Sequence, residues 1–70
     1  MSQVLSNMSG TVVRLLVKVG DKVSADQDVV VLESMKMEMN VPCAAGGVVK
    51  EIKVSPDDFV QEGQVLLVLG

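Results

Sequence analysis

The chain has 70 residues, a formal net charge of −3 and a single aromatic side chain, so we expect one domain, residues 1–70, around a thin aliphatic core. Its acidic balance and near absence of aromatic residues argue against nucleic-acid binding, and its apolar runs are too short to span a membrane. No histidine is present for a catalytic triad or a metal site, and the one cysteine cannot form an internal disulfide. The expectation is a cytoplasmic domain that is not an enzyme and has no membrane or nucleic-acid partner.

Valine dominates the apolar residues and fits a pleated surface, so the composition favours strands over helices. The chain also repeats itself after a shift of 37 residues. The matched positions include Gly10 and Gly47, Val17 and Val54, Asp21 and Asp58, Val23 and Val60, Gln27 and Gln64, and Leu32 and Leu69. Chance similarity between two valine-rich segments is the alternative, but valine bias does not produce matched glycine, aspartate and glutamine positions.

Each half is predicted to contain a glycine, a strand, an acidic turn, a short apolar link, a second turn and a strand. The elements of the first half are a strand with apolar positions 12, 15 and 17, turns at 20–21 and 25–27, and a strand over 29–32. Those of the second half are a strand with positions 49, 52 and 54, turns at 56–58 and 62–64, and a strand over 65–69. Because the first apolar step in each half breaks two-residue alternation, we expect a bulge or bend there.

Glycine and aspartate are expected to form the turns, since glycine reaches positive φ freely and aspartate can bond its own nearby backbone. The residues interpreted in this way are Gly10, Gly20, Gly47, Gly63, Asp21 and Asp58. If the halves are related by a pseudo-two-fold axis, the first half ends at Glu33 and the second at Gly70. The two ends of the chain should then lie side by side, opposite the position of Lys36.

The lysine segment, residues 33–38 with the sequence ESMKME, lies between two apolar stretches. It reads as two strands joined by a tight turn, with Lys36 at or beside its tip. A lysine in that position is exposed, held by its flanking strands and reachable by another protein. We therefore interpret Lys36 as a covalent attachment point.

The lysine segment resembles the biotinylation motif of the biotin/lipoyl attachment family, which most often has Ala where this chain has Ser34. The resemblance covers nearly the whole chain. The other similar stretches are residues 8–12 (MSGTV), 17–23 (VKVGDKV), 41–42 (VP), 47–49 (GVV) and 63–66 (GQVL). Methionine on both sides of the lysine resembles biotinyl domains, because lipoyl domains usually have an acidic residue before the lysine and a small residue after it. The chain is thus similar to biotinyl (biotin carboxyl carrier) domains.

This resemblance implies an all-β fold, a flattened barrel-sandwich of two four-stranded antiparallel sheets, with the target lysine in an exposed hairpin. It implies that a biotin protein ligase attaches biotin to Lys36. The biotin would carry carboxyl groups between the biotin carboxylase and carboxyltransferase sites of a biotin-dependent carboxylase, decarboxylase or transcarboxylase. Two alternatives stay open, a lipoyl carrier with lipoate on Lys36 and an unmodified structural module of the same fold.

The neighbours of Lys36 have two readings each. Met35 and Met37 are core fillers or, as we favour, a soft recognition surface for the ligase or carboxylase, and strand alternation would put both on the face opposite the lysine. Glu33 and Glu38 are solvated flanking charges or ligase contacts. No residue is assigned a catalytic role.

The chain departs from the family pattern at several positions. Ser9 replaces a proline, and Asp26 and Asp57 stand where many relatives have glycine, so both aspartates are expected to tolerate a left-handed φ. The stretch from Asp21 to Glu33 is too short for the protruding thumb of some acetyl-CoA carboxylase carriers, which predicts a thumbless domain. Cys43 is interpreted as a small packing residue.

Overall fold

The computed structural model describes residues 2–70, which form eight β-strands and no helix. The strands are β1 (Ser2–Leu5), β2 (Gly10–Leu15), β3 (Lys22–Val23), β4 (Asp28–Ser34), β5 (Met37–Pro42), β6 (Gly47–Ile52), β7 (Phe59–Val60) and β8 (Val65–Leu69). None of the described residues belongs to a helix long and apolar enough to cross a membrane.

The strands form two four-stranded antiparallel sheets, one with the order β1-β8-β6-β3 and the other with the order β5-β4-β2-β7. Replacing each strand of the first sheet by its equivalent in the other half gives the second sheet in the same order. The predicted all-β sandwich with pseudo-two-fold symmetry is confirmed. Residues 21–33 contain only β3, a short turn and most of β4, so no thumb protrudes from them.

Equivalent turns in the two halves are closed by the same side-chain hydrogen bonds. Oδ2 of Asp21 accepts from the backbone N–H of Lys18 at 3.0 Å, and Oδ2 of Asp58 accepts from that of Ser55 at 2.9 Å. The second turns are closed in the same way by glutamine side chains, with bonds from Ser24 to Gln27 and from Gln61 to Gln64. Asp21 and Asp58 are therefore turn residues, as the sequence predicts.

Positive φ values also occur at equivalent places. Gly20 (φ 96°) corresponds to Asp57 (φ 77°), and Asp26 (φ 68°) corresponds to Gly63 (φ 88°). Each of these two repeated turn positions is thus occupied by glycine in one half and by aspartate in the other, which confirms the expectation for both aspartates. Asp is among the residues that tolerate this region best after glycine.

The predicted bulges are present in β2 and β6, the equivalent strands of the two halves. The register of β2 against β4 shifts between Val12 and Arg14, and that of β6 against β8 shifts between Val49 and Glu51. These two places are equivalent under the 37-residue repeat. A bulge bends its strand and increases the local twist, so it helps each sheet curve around the core.

Every strand contributes to one core between the sheets. The buried apolar residues of this cluster are Val4, Val12, Val17, Val23, Val29, Val30, Leu32, Val41, Cys43, Val49, Val54, Val60, Leu66, Leu67 and Leu69. Each fully buried valine or leucine stabilises the fold by about 1.5–3 kcal/mol before entropy is counted. Cys43 is fully buried with its Sγ 2.9 Å from the carbonyl oxygen of Ser24, which confirms a packing role.

The two ends of the described chain lie side by side. Ser2 pairs with Leu69 in the first sheet, and the equivalent pair in the second sheet is Met39 with Leu32, close to the lysine segment. The domain is elongated, with extents of 31 × 19 × 19 Å. The pairing of Ser2 with Leu69 confirms that the two chain ends lie side by side, and the pseudo-two-fold relates this pair to the base of the lysine hairpin.

Candidate functional site

The lysine segment is a hairpin with a two-residue turn. Glu33 pairs with Glu38 and Ser34 pairs with Met37, which leaves only Met35 and Lys36 to connect β4 to β5. Their φ values are 55° and 65°. Positive φ at both central residues defines a type I′ turn, whose twist matches that of the two strands. Lys36 therefore lies at the tip of the hairpin, as the sequence predicts.

This turn is strained, because it uses ordinary L-residues where Asn-Gly is preferred. A left-handed conformation costs an L-residue roughly 1–2 kcal/mol. The strand pairing keeps Met35 and Lys36 in this strained conformation, because β4 pairs with β5 on one side and with β2 on the other. The hairpin thus presents its two tip residues in one defined backbone conformation.

The tip is open to solvent. Met35 is 91% exposed, Met37 is 64% exposed and Lys36 is exposed. Within residues 2–70 the ion pair found joins Lys53 to Glu51, so Lys36 has no described carboxylate partner. A solvated amine without an intramolecular partner is free to meet another protein.

Of the four predicted recognition residues, Met35 lies in the turn and the other three lie in the strands beside it. Met35 is a turn residue with φ 55°, whereas Met37 begins β5. The prediction that both methionines share a face opposite Lys36 assumed strand alternation through residue 35. Strand alternation does not apply to a turn residue, so the structure removes the reason for that prediction. Both methionines are exposed and neither is a core filler. Glu33 and Glu38 are exposed and directly opposite each other, an arrangement that is unfavourable for like charges.

Gly10 has a role that the sequence did not reveal. It begins β2 and is buried, with no positive φ, so its interpretation as a turn residue is wrong. A Cβ on residue 10 would lie 2.6 Å from the carbonyl oxygen of Glu33. The absence of a side chain therefore lets β2 lie directly against the base of the lysine hairpin. Gly47 likewise begins β6 and is not a turn residue.

A side-chain hydrogen bond also fastens the edge strand. The amide Nδ2 of Asn40, in β5, donates to Oδ2 of Asp28, in β4, at 2.8 Å. No repeat position or motif indicated this bond. It adds a second link between the two strands that carry the turn.

Among residues 2–70 no three His, Cys, Asp or Glu side chains come together in a way that could hold a metal ion. The chemistry available at the tip is that of a single primary amine. Such an amine can be acylated when an activated carboxyl group is brought to it.

Comparison with known proteins agrees with this geometry. The Biotin_lipoyl family model, described as "Biotin-requiring enzyme", matches residues 2–69. The "Biotin/lipoyl attachment protein" of Bacillus subtilis is 47% identical over 63 residues, which are 90% of this chain and 86% of that protein. The "Biotin carboxyl carrier protein" of Streptococcus mutans is 40% identical over 63 residues, which are 90% of this chain and 48% of that protein.

Much longer proteins contain similar domains. A "Dihydrolipoyllysine-residue acetyltransferase component of pyruvate dehydrogenase complex" from Pseudomonas aeruginosa is 48% identical over 65 residues, 93% of this chain and 12% of that protein. The crystal structure of Kluyveromyces lactis urea carboxylase matches with a TM-score of 0.92 and 30% identity, over 99% of this chain and 6% of the enzyme. The chain therefore belongs to the biotin/lipoyl attachment family, in which it is a small carrier domain rather than a catalytic one.

Proposed function

We propose that the chain carries biotin covalently attached to Lys36 and serves a biotin-dependent carboxylase, decarboxylase or transcarboxylase. The observation that supports this most directly is the position of Lys36 in an exposed two-residue turn that fixes its backbone. The chain's relatives include proteins named biotin carboxyl carrier protein and pyruvate carboxylase. Partners of this kind would be a biotin protein ligase and the carboxylase and carboxyltransferase domains.

Attachment would form an amide at Nζ of Lys36. The ammonium form of a lysine has no free electron pair, so Nζ attacks an activated carboxyl carbon only after it has lost one proton. It loses a second proton as the amide forms and the activating group leaves with its electron pair. Lys36 has no described carboxylate partner, so the ligase must supply both the activated donor and the base.

The residues around Lys36 fit such a group because they hold the tether without enclosing it. The type I′ turn fixes the Cα of Lys36, and the long side chain beyond it is unrestrained. Bound biotin supplies a ring nitrogen that can carry a carboxyl group. A rigid base with a flexible arm allows one carrier to visit two active sites in turn.

Lipoate on Lys36 is the second candidate. It is favoured by the acetyltransferase relatives, one of which is 48% identical to this chain. The flanking residues favour biotin instead, since Met35 and Met37 match the biotinylation motif and differ from the acidic and small residues usual in lipoyl domains. The two groups also imply different partners, a carboxylase in one case and an acyltransferase in the other.

Co-expression with a biotin ligase and, separately, with a lipoate ligase distinguishes the candidates. The intact mass should increase by one biotin less one water with the first enzyme, and the formal charge should change from −3 to −4 as the amine becomes an amide. A Lys36→Arg variant keeps the charge and should keep its unmodified mass. An unmodified wild-type protein in both expressions would contradict the carrier function, and modification by lipoate alone would contradict biotin.

A further inference from the structure

Phe59 is the single aromatic residue of the chain and it is 64% exposed. It begins β7, a two-residue strand at the edge of the sheet that contains the lysine hairpin. Its neighbour Val60 is fully buried in the core, so strand alternation directs Phe59 to the outer face. The fold therefore leaves its largest apolar side chain in solvent.

The sheet register connects Phe59 to the lysine segment. Phe59 pairs with Thr11, Thr11 pairs with Glu33, and Glu33 pairs with Glu38. We call these four residues the outer row. Paired residues share a face, and four strands about 4.8 Å apart make a row about 14 Å long. The outer row thus runs across the whole sheet. Its last pair, Glu33 and Glu38, is next to the pair of Ser34 and Met37 that flanks the turn.

Comparing equivalent residues of the two halves distinguishes the residues that the fold requires from those that it does not. A residue needed for the sandwich itself should recur in the other half, as Asp21 and Asp58 do. Phe59 instead corresponds to Lys22, Thr11 to Val48 and Glu33 to Gly70. Lys22 pairs with Val48 in the same geometry, so the fold accepts a charged residue where Phe59 stands. The outer row is specific to the lysine end of the molecule.

We propose that the outer row is the surface on which the ligase that modifies Lys36 docks, with Phe59 as its apolar anchor. This inference rests on the proposed function. The ligase is the partner that reacts at Nζ itself, so it must lie against the hairpin, whereas other partners act at the far end of the attached arm. Aromatic residues, phenylalanine among them, are enriched at protein interfaces relative to the rest of the surface.

The charges of the outer row define the complementary surface. Glu33 and Glu38 oppose each other, and neither has an ion-pair partner among residues 2–70. A basic side chain placed between them would remove the repulsion between the two carboxylates. The ligase should therefore offer an apolar pocket for the Phe59 ring, with an arginine or lysine two to three strand spacings away that faces Glu33 and Glu38.

Steady-state kinetics of ligation, with the protein as the varied substrate, tests this surface. Phe59→Ala and Phe59→Lys should raise KM on the order of tenfold and leave kcat unchanged, because they weaken docking without altering Lys36. The matched control is Lys22→Ala, at the equivalent place in the other half, which should have wild-type kinetics. Thermal unfolding of each variant shows whether the fold is retained.

A binding readout is independent of the chemistry. Lys36→Ala should inhibit ligation of the wild-type protein competitively, and adding Phe59→Ala to it should weaken the inhibition about as much as KM rises. Wild-type KM and inhibition in the Phe59 variants would overturn the docking surface alone, with Lys36 still modified. A wild-type protein that neither a biotin nor a lipoate ligase modifies would overturn both the docking surface and the proposed function.

Discussion

Gly10 lies so close to Glu33 that any side chain on residue 10 would collide with the backbone of the lysine hairpin. The distance from a Cβ at this position to the Glu33 carbonyl oxygen would be 2.6 Å. At Gly47, the equivalent residue of the other half, the nearest atom would be the Gly70 carbonyl oxygen at 3.2 Å. The tighter approach occurs at the end of the molecule that carries Lys36.

Gly10→Ala should therefore destabilise the protein by about 1–3 kcal/mol, the usual cost of forcing extra volume into a packed site. It should also displace the hairpin, which would appear as changes in the NMR amide shifts of residues 33–38. Gly47→Ala is the matched control and should cost less and leave those shifts alone. Equal unfolding free energies and unchanged shifts in both variants would show that the contact does not brace the hairpin.

Met35→Asn should stabilise the fold by about 0.5–1 kcal/mol, measured by urea unfolding. Met35 has φ 55° and is 91% exposed, so asparagine would relieve backbone strain without any loss of buried area. Met37→Asn is the control, because residue 37 lies in β5 and gains nothing from tolerance of positive φ. A Met35→Asn protein that is no more stable than the wild type would contradict the strain assigned to this turn.

Cys43 should be protected from thiol reagents in the native protein. It is fully buried, so its reaction should be slower than in the denatured chain by at least roughly a thousandfold, in proportion to the rarity of opening. The reaction can be followed by mass spectrometry with and without denaturant. Rapid labelling under native conditions would contradict the packed position.

Exchanging the residues beside Lys36 should change which group is attached. Met35→Asp combined with Met37→Ala reproduces the flanks usual in lipoyl domains, and we expect the ratio of biotin to lipoate attachment to fall by at least roughly tenfold. Competition between the two ligases on one sample measures this ratio. Met39→Ala, further along β5, is the control and should leave it unchanged.

The sequence predicted those features that depend on the repeat or on local turn chemistry. Matched positions such as Asp21 and Asp58 predicted the symmetric sheets, and broken alternation after Val12 predicted the bulge. The position of Lys36 at a hairpin tip followed from the apolar stretches around it. These signals are local, or are doubled by the repeat, so one chain was enough to detect them.

The remaining features depend on contacts between distant parts of the chain. The pairing of Phe59 with Thr11, and of Thr11 with Glu33, follows from the register of three strands, which no composition pattern reveals. The close approach of Gly10 has the same origin, and a strand-initial glycine looks like a turn glycine in sequence. Met35 lies in the turn because the loop has only two residues, Met35 and Lys36. The sequence pattern did not distinguish this loop from a turn centred on Lys36.

Peptide mapping of the ligated protein tests the central claim most directly. The chain has five lysines, Lys18, Lys22, Lys36, Lys50 and Lys53, so the position of the attached group is informative. After reaction with biotin ligase, fragmentation should place one biotin on Lys36 and none on the other four, and Lys36→Arg should remain unmodified. Biotin on another lysine, or a Lys36→Arg protein that is still modified, would contradict the assignment of Lys36 as the attachment site.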